Sequence, residues 1–307
     1  MKIIGANLMP EPAKVLITGA SGLLGANLVR HYAPKTETTG WYAKNPITIA
    51  CAEIEKNDIT DQQAVSQALE RIQPDLIVHC AAATNVEWCE QNPDAAKAIN
   101  ETATEFLAEK AKELSAKFVF TSTDSVFDGN SSKYAEFDPP KPLNSYASGK
   151  VRTEKLVTGV DPNALIIRSY FYGYSPAGTR SLLEWVLVRA QAGKEVPGFT
   201  DSYFSPISVD DFADALDAAI TNNITGLLHL GSSDRISKYD FAKIVMEIYD
   251  CDMSLLKPIT VDDVGLKADR PRDTSLSIAL LESIWWKSVP SVADGISRIA
   301  ASPNPFR

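Results

Sequence analysis

The chain of 307 residues, 45% hydrophobic and 22% charged, can bury a sizeable core, which excludes disordered and fibrous architectures. Its formal charge of −9, from 39 acidic against 30 basic residues with no run of lysine or arginine, argues against a nucleic-acid partner and for a small-molecule ligand. The four cysteines form no CxxC pair and no matched spacing with the three histidines, so neither zinc nor a disulfide framework is expected, and a reducing cytoplasm is the natural compartment.

Residues 1–14, broken by Pro10 and Pro12, read as a loose lead-in too short for a secretory signal. No apolar run reaches the roughly 18 residues of a membrane-spanning helix, so no membrane association is expected. From Lys14 onward, short β-rich apolar runs alternate with longer segments of helical period, the pattern of a parallel sheet with crossover helices. Residues 15–18, 38–42, 76–80, 118–121 and 164–168 read as strands, and 23–32, 62–72, 93–114 and 146–158 as helices. Asp61 and Asn92 stand where N-caps belong. The expectation is an α/β, Rossmann-like doubly wound parallel sheet over residues 14–168 and a smaller C-terminal substrate-binding lobe built mainly from 169–307. Helices are expected there at 182–192, 210–220 and 238–249, and a strand at 227–230 should return to the sheet with the segment near 203–231.

The first strand runs straight into Gly19-Ala20-Ser21-Gly22-Leu23-Leu24-Gly25 and then a helix. Glycines so placed allow a tight turn and a close approach of backbone to a pyrophosphate, while the N–H groups of the helix start attract its charge. Gly19, Ser21, Gly22, Leu23 and Gly25 are therefore expected to hold a dinucleotide cofactor. NAD-preferring sites place an acid at the end of the second strand; here that strand ends Trp41-Tyr42-Ala43-Lys44, with no acid until Glu53. A lysine there suits a 2′-phosphate, so NADP(H) is favoured over NAD(H), although a solvated surface lysine reads the same way. Asp58, followed by Ile59, fits either an adenine contact or the cap of the next helix.

The strand at 118–121 ends in hydroxyls at Ser122 and Thr123, and strand carboxyl ends are where ligands bind in open α/β sheets. A hydroxyl there can orient a carbonyl, or it can serve a turn. Farther along, Tyr146 and Lys150 lie four residues apart on one face of a helix. A nearby cation favours phenolate, which brings a tyrosine toward neutral-pH proton transfer. Tyr239 and Lys243 share the spacing but sit on an ordinary amphipathic helix far from the glycine turn, and that copy is rejected.

These segments resemble the extended short-chain dehydrogenase/reductases and, within them, the dTDP-4-dehydrorhamnose reductase family. The resemblance runs through residues 17–25, His79-Cys-Ala-Ala-Ala-Thr-Asn-Val86, the surroundings of Asn100, Ser122-Thr-Asp-Ser-Val-Phe-Asp-Gly129, Pro142 to Lys150 and Arg270-Pro-Arg-Asp-Thr-Ser-Leu276. It implies Thr123, Tyr146 and Lys150 as the catalytic set, with Tyr146 and Lys150 also touching cofactor, Ala81 and Ala82 on its nicotinamide side, and Val86 and Asp124 on the substrate side. Ser125 stands where many members carry tyrosine, and Ser169-Tyr-Phe-Tyr-Gly173 where they carry a tryptophan. Those departures leave reductase chemistry in place and open the choice of sugar.

The implied activity is reduction of a keto group on a nucleotide-linked sugar, with Tyr170, Asp201 and Arg272 holding sugar and diphosphate. Arg270 and Arg272 suit a diphosphate, or equally a surface pairing with Asp269 and Asp273. Two alternatives stand. A sugar-nucleotide epimerase or dehydratase uses the same core, but the acid a dehydratase needs after Asp124 is replaced by Ser125. The chain also resembles a regulatory subunit of methionine adenosyltransferase, which would bind cofactor without turnover. The resemblance also suggests a homodimer.

Overall fold

The computed structural model describes residues 11–265, 269–285 and 287–307, so most of the lead-in, residues 1–10, falls outside it. The first half alternates strand and helix: β1 (Lys14–Thr18), α1 (Leu23–Tyr32), β2 (Glu37–Tyr42), β3 (Glu53–Lys56), α2 (Gln62–Ile72), β4 (Leu76–His79), α3 (Val86–Gln91), α4 (Pro93–Lys97), α5 (Ala103–Glu113), β5 (Lys117–Thr121), α6 (Ser145–Val160) and β6 (Leu165–Ser169). There follow β7 (Phe171–Tyr172), α7 (Leu182–Gln191), β8 (Val196–Phe199), β9 (Tyr203–Phe204), β10 (Ile207–Ser208), α8 (Val209–Thr221), β11 (Gly226–Leu230), β12 (Ile236–Ser237), α9 (Lys238–Ile248), β13 (Leu256–Ile259), α10 (Ala279–Ile284) and α11 (Val292–Ala300).

Seven strands form one parallel sheet in the order β11-β6-β5-β4-β1-β2-β3. Successive side chains leave a strand on opposite faces, so a strand apolar at every position must be covered on both. Val15, Ile17, Val78, Val119 and Ile167 accordingly pack into one layer with residues of α1 and α8, while Leu16, Ile77, Phe118, Phe120 and Ile166 pack into the other with α2 and α5. A third cluster, including Leu183, Val186, Phe241, Val245 and Ile296, unites α7, α9 and α11 away from the sheet. β11 pairs with β6, and Leu281 and Trp285 join the layer under α1, so two late segments lie against the main sheet. The strand order turns at β1 and β4, which opens a crevice at their carboxyl ends.

Two expectations need correction. The helix expected over 93–114 is interrupted by a π turn at Ala98–Thr102, where the Asn100 side chain reaches out to the backbone of Ala83. Asn92 precedes α4, but its side chain does not cap it; Nδ2 donates instead to the Trp88 carbonyl at 2.9 Å, and Pro93 at the first helical position needs no partner. Asp61 does cap α2, accepting from Ala64 N at 3.0 Å.

Candidate active site

The glycine turn joins β1 to α1 with Gly19 at φ 72°, a left-handed conformation that L side chains rarely adopt. A Cβ on Gly19 would stand 2.8 Å from Ala81 N, and one on Gly25 would stand 2.2 Å from the Gly19 carbonyl. Backbone therefore meets backbone where β1, α1 and the end of β4 converge. The N-cap of α1 is Gly22, with no side-chain cap and no acid in the first turn. Its leading N–H groups are left to an anion, and the turn fits a dinucleotide diphosphate. The Thr18 hydroxyl ties the opposite wall, accepting from Cys80 N at 3.2 Å and Ala81 N at 3.1 Å. Behind it His79, pushed down to about 3 by burial and then by the charge of Lys150, is a neutral imidazole bridging Thr18 and Thr104.

Of the other residues assigned to cofactor, Tyr42 is half-buried at the end of β2 and Lys44 is exposed just beyond it. Asp58 does not cap α2, a place Asp61 holds; its Oδ1 accepts from Thr60 N at 3.0 Å and Thr60 Oγ1 at 2.8 Å, a local turn that leaves Oδ2 open. The Ile59 side chain is buried in an apolar layer, so only its backbone is available to a ligand. Neighbouring Asn57, unremarked in the sequence, has a buried Oδ1 with no partner among the described residues. Ala81 and Ala82 are half-buried beside the glycine turn.

At the carboxyl end of β5 the second half of the site assembles. Lys150, 3% exposed, donates from Nζ to the Thr121 carbonyl at 2.9 Å and lies 4.5 Å from the centre of the Phe120 ring. Burial pushes its amine down to about 8, against the opposing pull of Cys80, Glu154 and Cys89. The Tyr146 phenol is raised above its ordinary value by burial, by the Asp124 carboxylate and by Cys89, with a bond to the Thr123 side chain pulling the other way. The spacing predicts that Lys150 lowers this phenol; instead burial and Asp124 dominate, and the Lys150 amine is turned to Thr121 and Phe120. Thr123 has two duties. Its side chain neighbours the Tyr146 phenol, and its hydroxyl accepts from Ser125 N at 3.2 Å at the head of a short 3-10 turn.

Asp124, 2% exposed, has both oxygens engaged: Oδ1 accepts from the hydroxyls of Thr123 at 3.3 Å and Ser125 at 3.2 Å, and Oδ2 from Thr274 at 2.5 Å. Burial still raises its carboxyl above the usual range. Tyr170 packs edge-on against Phe204 at 4.9 Å, and burial, with Asp124 adding to it, pushes its phenol up to about 12. Val86 opens α3 behind the Asn85 cap.

Both arginines form surface ion pairs, but with acids other than Asp269 and Asp273. Arg272 binds Asp201 and Asp262, each at 2.6 Å, and Arg270 binds Glu87 at 3.2 Å, while Asp273 is taken by Arg235. Asp201 and Arg272, both assigned to substrate, are thus brought together as an ion pair, because Tyr203 N donates to the Arg272 carbonyl and fixes that segment beside β9. Arg270 and Arg272 still line a cavity of about 520 Å³ with Asp128, Asn130, Asp262 and Asp269. A cavity of about 470 Å³ is lined by Tyr146 itself with Glu90, Asn100, Ser145 and Arg152 among others.

Three further side chains join the site from positions that no motif marks. Glu90 of α3 holds Ser145, the residue before Tyr146, accepting from its N–H and its hydroxyl at 2.7 Å each. Lys238, first residue of α9, sets its amine 6.0 Å from the Phe199 and Phe204 rings, with Asp124 and Arg270 as electrostatic neighbours. Glu154, two helical turns beyond Tyr146, accepts from Ser122 and Arg168. Only a four-residue repeat on α6 hinted at Glu154. Among the described residues no group of three or more His, Cys, Asp or Glu is placed to hold a metal, and no helix is long and apolar enough to cross a membrane.

Over residues 13–302 the chain matches the family described as RmlD substrate binding domain. It is 32% identical over 296 residues to the probable low-salt glycan biosynthesis reductase Agl14 of Haloferax volcanii, covering 94% of this chain and 98% of that one. It is 30% identical over 279 residues to methionine adenosyltransferase 2 subunit beta of Rattus norvegicus, covering 88% of this chain and 82% of the relative. The fold superposes with a TM-score of 0.82 on dTDP-4-dehydrorhamnose reductase from Bacillus anthracis in complex with NADP, at 26% identity over 93% of this chain and 97% of that one.

Proposed function

The chain belongs to the RmlD substrate binding domain family, and on that premise we propose that it is an NAD(P)-dependent oxidoreductase that reduces a keto group on a nucleotide-linked sugar. NADP(H) is the favoured cofactor and NAD(H) the alternative. The observation that carries the reading is the convergence of Thr123, Tyr146 and Lys150 at the carboxyl end of β5, two strands from a glycine turn whose backbone has no room for a Cβ.

A bound nicotinamide supplies the hydride. The turn Gly19–Gly25, with Ser21, Gly22 and Leu23, holds the diphosphate; Lys44, beside Tyr42, meets the 2′-phosphate; Asp58 and Ile59 flank the adenine, and Ala81 and Ala82 the nicotinamide side. Lys150 holds the ribose hydroxyls and Thr123 the substrate carbonyl. Tyr146 delivers the proton to the carbonyl oxygen. A phenol held above its ordinary value remains protonated at neutral pH, which suits a proton donor in the reducing direction. Val86, Asp124, Ser125 and Tyr170 line the sugar, and Asp201 and Arg272 act as a pair at the nucleotide end.

A second reading, cofactor binding without turnover, is favoured by the likeness to the methionine adenosyltransferase subunit. Following reduced-nicotinamide absorbance with a panel of keto-sugar nucleotides separates the two. A reductase consumes NADPH in proportion to product. A binding subunit, or an epimerase that returns its hydride, shows no net loss. The four cysteines are all free, which supports a cytoplasmic setting.

A further inference from the structure

Tyr146, Lys150 and Glu154 recur every four residues on α6 and so form one stripe. That stripe meets three successive residues at the end of β5. The Lys150 amine donates to the Thr121 carbonyl at 2.9 Å, the Ser122 hydroxyl donates to Glu154 at 2.5 Å, and the Tyr146 phenol has the Thr123 side chain as a polar neighbour. From β6, Arg168 grips the same carboxylate, Nε to Oε1 at 2.9 Å and Nη2 to Oε2 at 2.7 Å, with both side chains buried.

A buried ion pair is a weak source of stability, since desolvation of the two charges offsets most of their attraction and apolar residues of the same volume often serve as well. Apolar residues could not accept the Ser122 proton or set a helix at one register along a strand end. Register matters here because Thr123 follows Ser122 directly, and a slip of α6 would part Tyr146 from Thr123 and Lys150 from Thr121 together.

We propose that Glu154 is a positioning residue: through Ser122 and Arg168 it fixes α6 on the end of β5, so that Tyr146 meets Thr123 and Lys150 keeps an anion at a set place beside it. Its consequence for rate rests on the reductase reading; its geometric content does not. The titratable groups facing Lys150 are His79 from β4, Cys80 just beyond it, Cys89 from α3 and Glu154 on its own helix. Glu154 is the acid among them, so its loss is read at Lys150.

The test uses Glu154→Gln, which keeps shape and removes charge, and Ser122→Ala, which keeps the ion pair and removes the link to β5. In the substrate-free protein with isotope-labelled lysines, the NMR titration midpoint of Lys150 should fall by at least about half a unit in Glu154→Gln. In turnover, both variants should lose about tenfold or more in kcat with KM within about twofold, and the alkaline limb of kcat should move to lower pH in Glu154→Gln alone. A folded Glu154→Gln protein with either the wild-type Lys150 midpoint or the wild-type kcat overturns the proposal. If Glu154→Gln does not fold, Ser122→Ala decides, and an unchanged kcat there overturns it. If the wild type reduces no keto-sugar nucleotide, the reductase reading fails while the titration still decides the role of Glu154.

Discussion

His79 Nδ1 lies 2.7 Å from the hydroxyl of Thr18, and the surrounding donors settle which of the two gives the proton. The Thr104 hydroxyl spends its hydrogen on the Asn100 carbonyl at 2.9 Å, so at its 2.9 Å contact with His79 it accepts, and Nε2 carries the ring proton. Nδ1 is then the acceptor for Thr18, whose oxygen stays open to Cys80 N and Ala81 N. With the imidazole pushed down to about 3, the 15N shifts of His79 should report the neutral Nε2–H tautomer from pH 8 down to about 4. Protonation near 6.5 would refute the chain of donors.

The depressed amine of Lys150 lowers the stability of the folded state at neutral pH relative to alkaline pH. Its folded value of about 8 lies below the ordinary 10.5, so between these values the unfolded chain binds the extra proton and stability rises with pH. Below about pH 8 the full penalty is present, and above 10.5 it is gone. The stability of wild type relative to Lys150→Met should therefore rise by on the order of 2–3 kcal/mol between pH 7 and pH 10.5. Urea unfolding of both proteins at several pH values measures it; a constant difference would count against the depressed amine.

Tyr146→Phe removes the proposed proton donor and little volume. The expected result is a fall of about 10²–10⁴ in kcat, with NADPH affinity by fluorescence titration unchanged within about twofold. Retained turnover would move the proton-donor role elsewhere.

Gly25→Ala places a methyl group 2.2 Å from the Gly19 carbonyl, and the obstacle is backbone, which has no rotamer to yield. A cost of about 1–3 kcal/mol in stability is expected, together with loss of dinucleotide binding. Calorimetric titration that gave wild-type affinity would show that the turn does not hold the diphosphate.

Lys44→Ala tests the choice of cofactor. If this exposed lysine meets the 2′-phosphate, kcat/KM with NADPH should fall about tenfold while that with NADH holds. Equal change with both cofactors would return Lys44 to an ordinary solvated role.

The parts of the site that could be read along the chain are those built from neighbours in sequence. The turn from Gly19 to Gly25 and the Tyr146–Lys150 pair each lie within one element and its flank, where spacing reports geometry directly. β3 gave no such signal: Glu53-Ile-Glu-Lys56 is an edge strand, largely wet, and carries charge where alternation would show apolar residues. The π turn at Ala98–Thr102 was hidden because helical periodicity continues through it. The pairs Arg272–Asp201, Arg270–Glu87 and Glu154–Arg168 depend on tertiary placement; in the first two, the arginines pass over their sequence neighbours Asp269 and Asp273 for acids much earlier in the chain.

The stretch Asp269–Thr274 reaches several walls of the site: Asp269 accepts from Asn144, Arg270 holds α3, Arg272 holds Asp201, and Thr274 takes the carboxylate beside Thr123. During synthesis the glycine turn leaves the ribosome early and this stretch late. A nascent chain can thus carry the glycine turn, Tyr146 and Lys150 before Asp124 finds its closest donor, Thr274, which lies 150 residues beyond it. The wall that closes on substrate is therefore the last part of the site to be made.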